Sequence, residues 1–261
     1  MTEIQSVQNP TVRRLKGLKD KKAREEANEM LVEGEKLMLE AAEMGLEPSD
    51  VLIEDGAADR FAALAERMAG FGARVYAVPR RVLETVCDTK TPQGACAAFS
   101  LPRPFDVQHA PERLVALDGV QDPGNVGTIW RTADAAGLNG ILMSRLCADP
   151  FSPKVQRAAM GSGFRVPVSV CDDLPGMLRA LREQGWTVIA SSLHGEPFYE
   201  AMPQAEKFVL VIGNEARGVS DEVMALADVR LKLPMRGGAE SLNAAVAAGI
   251  MMYELMREHR V

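Results

Sequence analysis

Runs of consecutive apolar residues alternate along this chain with stretches in which apolar residues recur at helical spacing. This is the pattern of buried strands separated by amphipathic helices. The alternation is sharpest near the C-terminus. Residues 208–212 (FVLVI) form the run expected of a strand buried on both faces, and they stop abruptly at Gly213, Asn214 and Glu215. Residues 229–233 (VRLKL) form a second run and stop at Pro234, Met235, Arg236, Gly237 and Gly238. A short helix is expected between them. Two strands that each end in a polar, glycine-bearing loop predict two sides of one crevice, because ligands of parallel sheets bind outside the carboxyl ends of the strands. A long helix should follow, with Ser241 as its N-cap. Its Leu242, Ala245, Val246, Gly249, Ile250 and Tyr253 recur as a predicted buried stripe.

The rest of the chain reads in the same way. Asn9-Pro10 opens a basic helix, with the proline suited to the first turn. Strands are expected at 29–33, 51–53, 74–78 and 95–99, and helices from 34 to about Gly45, at 59–68 and at 80–86. These make a small α/β domain over residues 1–101. Pro102, Pro104 and Pro111 mark residues 102–111 as a linker. The second domain, 112–261, should hold strands at 114–117, 141–143, 166–170 and 187–191. Its helices are expected at 126–136 (capped by Asn125 and carrying Arg131), at 151–160 (with Lys154 and Arg157) and at 174–184. Residues 161–165 break the pattern, and 194–203 read as a loop.

Composition narrows this picture only slightly. No run approaches the roughly 18 apolar residues that cross a bilayer, and the first ten residues lack the basic and apolar regions of a secretory signal. Four scattered cysteines (Cys87, Cys96, Cys147, Cys171) form no CxxC pair, so reduced thiols and a cytoplasmic protein are expected. The net charge of -6 argues against a nucleic-acid binder, but its distribution does not. Arg13, Arg14, Lys16, Lys19, Lys21, Lys22 and Arg24 crowd one segment opposite Asp20 alone. Such a segment is either a solvated helix face or one that releases counterions from a phosphate backbone.

Common catalytic signatures are missing. The loop after Leu117 has glycines near a helix start but neither a P-loop nor a GxGxxG fingerprint, which leaves a nicotinamide enzyme as a weak alternative. His109, His194 and His259 have no companions suggesting a metal or a triad, and no metal is expected.

Three segments do fit together. NxGxxxR (125–131), IGNE followed by Gly-Val-Ser (212–220) and LPMRGGAESLN (233–243) resemble, in order, the motifs of the SpoU or TrmH family of RNA ribose 2′-O-methyltransferases, within the SPOUT superfamily. SPKVQRAAMGSGFRVPV (152–168) is similar as well. NPTVRRLKGL and MLVEGEKLMLEA resemble the family's L30e-like substrate-binding domain. One departure is Ala216, where the family often has glycine.

The resemblance implies an α/β catalytic domain with a parallel sheet and a deep trefoil knot. It also implies S-adenosylmethionine as cofactor, a homodimer, and RNA as substrate, with rRNA favoured over tRNA. Carried over by position, Asn125, Arg131, Glu215, Ser241 and Asn243 fall on catalytic or substrate-positioning sites. Gly213, Leu233 and Leu242 fall on cofactor contacts. Arg13, Arg14, Lys16, Lys19, Lys22, Arg157 and Arg165 are the candidate RNA contacts. Arginine is expected to clamp phosphate rather than act as base, because guanidinium stays protonated. The reading from another class is an RNA-binding module that keeps the fold without the chemistry.

Overall fold

A computed structural model describes residues 1–106 and 112–257. His109, His259 and part of the 102–111 linker lie outside the described residues. The chain divides into two compact units: Met1–Pro102 with Phe151–Phe164, and Arg103–Pro150 with Arg165–Val261.

The first unit is built on a five-stranded mixed sheet. Its elements in order are β1 (Thr2–Glu3), α1 (Pro10–Gly17), α2 (Lys21–Ala27), β2 (Glu29–Glu33), α3 (Glu35–Glu43), β3 (Pro48–Glu54), α4 (Ala62–Gly70), β4 (Arg74–Val78), α5 (Arg80–Val86) and β5 (Ala95–Ser100). The strand order is β1-β4-β3-β5-β2. Alternate residues of these strands feed two cores. One gathers Val12, Leu15, Val82 and Val86 of α1 and α5 over Leu31, Leu52 and Cys96. The other gathers Met38, Leu64 and Met68 of α3 and α4 over Met30, Val51 and Phe99. This is the strand period of two at work. The single basic helix read from sequence is in fact two. Leu18 and Asp20 break it, and Asp20 caps α2 by accepting from Ala23 N–H at 3.3 Å.

The second unit carries a six-stranded sheet in which every pairing is parallel, in the order β11-β9-β10-β6-β7-β8. Its strands are β6 (Arg113–Asp118), β7 (Gly140–Ser144), β8 (Val168–Cys171), β9 (Thr187–Pro197), β10 (Phe208–Gly213) and β11 (Val229–Lys232). The helices between and after them are α6 (Pro123–Ala136), α7 (Pro153–Ala159), α8 (Ser162–Arg165), α9 (Leu174–Glu183), α10 (Phe198–Ala201), α11 (Asp221–Leu226) and α12 (Ala244–Leu255). Short α7 lies within the first unit and is capped by Ser152. β10 is buried along its whole length at the sheet's centre, as its apolar run requires.

Four local expectations need correction. β11 is an edge strand in which Leu231 alone is buried, so its apolar run does not mark a central strand. Asp122, not Asn125, caps α6, accepting from the Asn125 N–H at 2.8 Å, and Pro123 opens the helix. Asn243, not Ser241, caps α12. The α12 stripe is also rotated. Ala245, Ala248, Met251, Met252 and Leu255 face the interior, whereas Leu242, Val246 and Tyr253 are exposed. On an almost wholly apolar helix, two faces satisfy helical spacing equally, and sequence alone cannot choose between them.

Candidate active site

The site is assembled at the carboxyl ends of β6, β9, β10 and β11 in the second unit. β6 ends at Asp118, which accepts the Ser220 N–H at 2.8 Å. β10 ends at Gly213, where the chain turns tightly. Asn214 and Gly218 exchange backbone hydrogen bonds of 2.9 and 2.8 Å, and Gly218 takes φ of +73°. A Cβ on Gly213 would stand 2.1 Å from the Gly218 carbonyl carbon and the Val219 nitrogen, so only glycine fits there. The Asn214 side chain holds the turn from inside, accepting from Ala216 N–H at 3.0 Å and Arg217 N–H at 3.1 Å. Its amide also donates to Gly119 carbonyl at 2.8 Å. Ala216 sits in this turn without a left-handed φ, so its methyl is accommodated.

A directed chain of side-chain hydrogen bonds joins the three motif segments. Asn243 Oδ1 accepts from Ala245 and Val246 N–H at 2.9 and 3.3 Å, the N-cap geometry of α12. That leaves its Nδ2 to donate to Asn125 Oδ1 at 2.9 Å. The Asn125 amide then donates to Glu215 Oε1 at 2.9 Å. Glu215 accepts further from Asp122 N–H at 3.1 Å and Gln121 N–H at 3.2 Å. Each amide is fixed in orientation by its neighbour, and the carboxylate ends the chain as acceptor only. Partial burial pushes the Glu215 carboxyl up, but donation from Asn125 and from backbone N–H groups outweighs it and holds the group below its ordinary range. A carboxylate saturated with donors and poised low is a clasp rather than a base.

Beside this clasp lies a cleft of about 780 Å³ lined by Gly213, Asn214, Glu215, Leu233, Ser241, Leu242 and Asn243, among others. All three predicted cofactor residues line it, and so do three of the five predicted catalytic ones. A smaller cavity of about 190 Å³ shares Leu233 and Leu242 and adds Tyr199 and Ile250. Arg131 is different. It lies six residues beyond Asn125 on α6, exposed, is absent from the cleft lining, and its side chain makes no hydrogen bond or ion pair among the described residues.

The sequence reading missed one wall of the cleft. β9 runs on to Pro197, and its pairing with β11 jumps from Ala190↔Arg230 to Glu196↔Leu231. Residues 191–195 therefore bulge out, bringing Ser191, Ser192, Leu193 and His194 to the cleft. Gly195 permits this, because a Cβ there would stand 2.4 Å from the Arg230 carbonyl oxygen. The cue in the sequence was Gly195 within an otherwise extended stretch, which marks a bulge or a close backbone approach.

The candidate RNA residues divide into two sets. Arg13 and Lys16 are exposed on α1, and their side chains have no partner among the described residues. The others are engaged within the chain. Arg14 pairs with Glu29 and with the fully buried Asp50. Lys19 donates to the Thr85 and Cys87 carbonyls at 3.1 and 2.6 Å at the end of α5. Lys22 faces Glu26 at 3.8 Å, Arg157 pairs with Asp88 at 2.6 Å, and Arg165 pairs with Asp134 at 2.7 Å.

Among the described residues no group of three or more histidine, cysteine or acidic side chains could hold a metal, and no helix is long and apolar enough to cross a membrane.

Residues 112–253 match the model of the SpoU rRNA Methylase family, and residues 9–97 match that of an MRM3-like substrate binding domain. A 23S rRNA (guanosine(2553)-2′-O)-methyltransferase, RlmP, of Bacillus subtilis is 36% identical over 98% of this chain and 99% of its own. The crystal structure of an AdoMet-bound rRNA methyltransferase from Sinorhizobium meliloti superposes with a TM-score of 0.87 at 33% identity, covering 100% of this chain and 98% of that one. AviRb of Streptomyces viridochromogenes, a SpoU methyltransferase solved with AdoMet, superposes with a TM-score of 0.84 at 25% identity over 97% of this chain and 98% of its own. With the motif loops joined as described, the chain belongs to the SpoU family of RNA ribose 2′-O-methyltransferases.

Proposed function

We propose that this chain methylates a ribose 2′-hydroxyl of 23S rRNA with S-adenosylmethionine held in the 780 Å³ cleft. The observation that carries the reading is the Asn243–Asn125–Glu215 chain on the rim of that cleft. The residues present fit the cofactor. Leu233, Leu242 and Met251 offer apolar surface for an adenine, while Ser191, Ser192 and Asn214 offer polar groups for its hydroxyls and charged tail. The bare Gly213 lets backbone approach closely. When bound, S-adenosylmethionine supplies a methyl already activated on sulfonium.

The chain's own work is to position. The Asn125–Glu215 clasp fixes the loop after β6 against the turn after β10, and Ser241 faces the same space. Arg131, exposed and unpaired among the described residues, is assigned to the phosphate next to the target ribose through a bidentate contact. Its guanidinium remains protonated, so the hydroxyl proton leaves through phosphate or water. Holding the oxygen about 3–3.5 Å from the methyl is the contribution that geometry can make.

Arg13 and Lys16 are the RNA contacts that unit 1 offers most directly, because both are free to release phosphate counterions. A homodimer is part of the same proposal. Val246 and Tyr253 leave apolar surface exposed on α12 (51% and 46%), and Arg131 lies on the helix packed beside it. A second copy would cover this surface, and Tyr253→Asp should then yield monomers in sedimentation. A trefoil knot in the second unit and a cytoplasmic location are part of the same proposal.

The experiment is a map of ribose methylation across total RNA from cells with and without this protein. One 23S rRNA position should lose its methyl group in the deletion. A loss confined to tRNA would redirect the substrate, and no loss anywhere would leave the RNA-binding module as the better reading.

A further inference from the structure

Leu146 is the most exposed large apolar side chain among the described residues, at 72%. A single surface leucine ordinarily needs no explanation, but the placement of this one calls for an account. It lies in the turn after β7, where Cys147 N–H returns to the Ser144 carbonyl at 3.1 Å. Turns of this kind favour small polar residues, and nothing in the turn requires leucine.

The turn is braced from several directions. Ser144 Oγ accepts the Gly119 N–H at 2.9 Å, Cys147 Sγ donates to the Leu117 carbonyl at 3.2 Å, and Ala148 N–H donates to the Val120 carbonyl at 2.9 Å. Burial pushes the Cys147 thiol up, which keeps it a protonated donor. Arg145 forms an ion pair with Asp172. The apolar side chain is therefore held out into water from a fixed platform.

The platform stands beside the active loops. Gly119, with φ of +71°, packs between Leu146 and Asn214. A Cβ on Gly119 would lie 3.8 Å from the Leu146 Cβ and 3.9 Å from the Asn214 Cβ. Asn214 lines the cleft. The exposed leucine thus occupies the carboxyl edge of β6 and β7, one residue's width from the turn after β10.

We infer that Leu146 packs against the face of a nucleobase at the target site, so that it acts as a substrate-contacting specificity residue. Ribose methylation requires a nucleotide whose sugar is accessible, usually in a loop or bulge with its base unstacked. An unstacked base has an apolar face to cover, and apolar side chains serve for this. Because the turn is already ordered, little conformational freedom remains to be lost on contact.

The inference rests on the RNA-methyltransferase reading, and its test separates the two. The full chain is assayed with a 23S rRNA transcript and tritiated S-adenosylmethionine, alongside calorimetric titration of the cofactor, thermal melting and sedimentation. Leu146→Ala should raise KM for the transcript about fivefold, at the low end of the loss seen when an aromatic side chain that stacks on a base is removed, because leucine has no ring. Cofactor affinity, melting temperature and oligomeric state should not change, and Leu146→Phe should keep or lower the wild-type KM. An unchanged KM in Leu146→Ala overturns the inference and leaves the enzyme reading intact. A parallel loss of cofactor affinity, or a change of oligomeric state, assigns Leu146 to loop packing or to an interface and also overturns it. A wild-type chain that binds the cofactor yet methylates no rRNA removes both.

Discussion

The basic N-terminal segment and the C-terminal strand-end loops present the same sequence feature, a dense cluster of polar side chains, and fold to opposite ends. In the loops, the clustered residues reach one another. Asn125 lies 90 residues before Glu215 and 118 before Asn243, yet the three form one directed chain beside an open cleft. In the basic segment, most of the clustered cations are taken up elsewhere. Arg14 meets buried Asp50, Lys19 closes the end of α5, and Arg24 is buried with a 2.6 Å bond to the Leu18 carbonyl. Counting charge along a chain therefore overstates the charge left for a ligand, because a folded interior draws on the same cations. Spaced polar motifs at strand ends are more dependable, since topology brings strand ends together.

The largest effect should come from Gly213→Ala. The new Cβ would overlap backbone at 2.1 Å, so the turn must open. Cofactor affinity should fall about a hundredfold or more, as expected when a small displacement disrupts a positioned site, and thermal melting should show a lower midpoint. Wild-type affinity in this variant would mean the turn is not the rigid edge described.

Next comes Asn125→Ala, which cuts the directed chain in the middle and leaves Asn243 Nδ2 and Glu215 each short of a partner. Turnover should fall about a hundredfold through misplacement of the loops, with a stability cost of about 1–3 kcal/mol. Single-turnover kinetics and urea unfolding separate the two effects.

The comparison itself is tested by a pair of single changes on one helix. Arg14→Ala should destabilise the protein by about 1–3 kcal/mol, because buried Asp50 loses one of its two arginine partners and keeps Arg74. Arg13→Ala should leave stability unchanged and lower RNA affinity a few-fold, with a shallower dependence on salt. The reverse pattern would restore the simple charge count.

The smallest effect is on pH. The Glu215 carboxyl titrates lower in the folded chain than its unfolded value of about 4.3. Its clasp therefore contributes fully above that value and is lost as pH falls through the folded one. Acid unfolding of the wild type should show this dependence, and Glu215→Gln should flatten it.

Much of this was legible in the sequence. The strand runs at 29–33 and 74–78 matched β2 and β4, and the motif spacing picked out six of the residues that line the cleft, along with Asn125 and Arg131, which do not line it, but not the 191–194 wall. What escaped had physical reasons. Ser241 looked like a cap, but Asn243 can both cap α12 and reach Asn125, so the helix begins later. The exposed and buried faces of α12 are nearly equal in apolar content, so periodicity did not separate them. The bulge at 191–195 depends on a register shift between β9 and β11, which is a property of two strands and not of either one.

The most direct measurement is a calorimetric titration of S-adenosylmethionine into the wild-type chain, Arg131→Lys and Leu242→Asp. The account predicts a saturable single-site isotherm for wild type and for Arg131→Lys with equal affinity, and at least tenfold weaker binding for Leu242→Asp, where a charge enters the apolar wall. No binding by the wild type, or equal binding by all three, would contradict it.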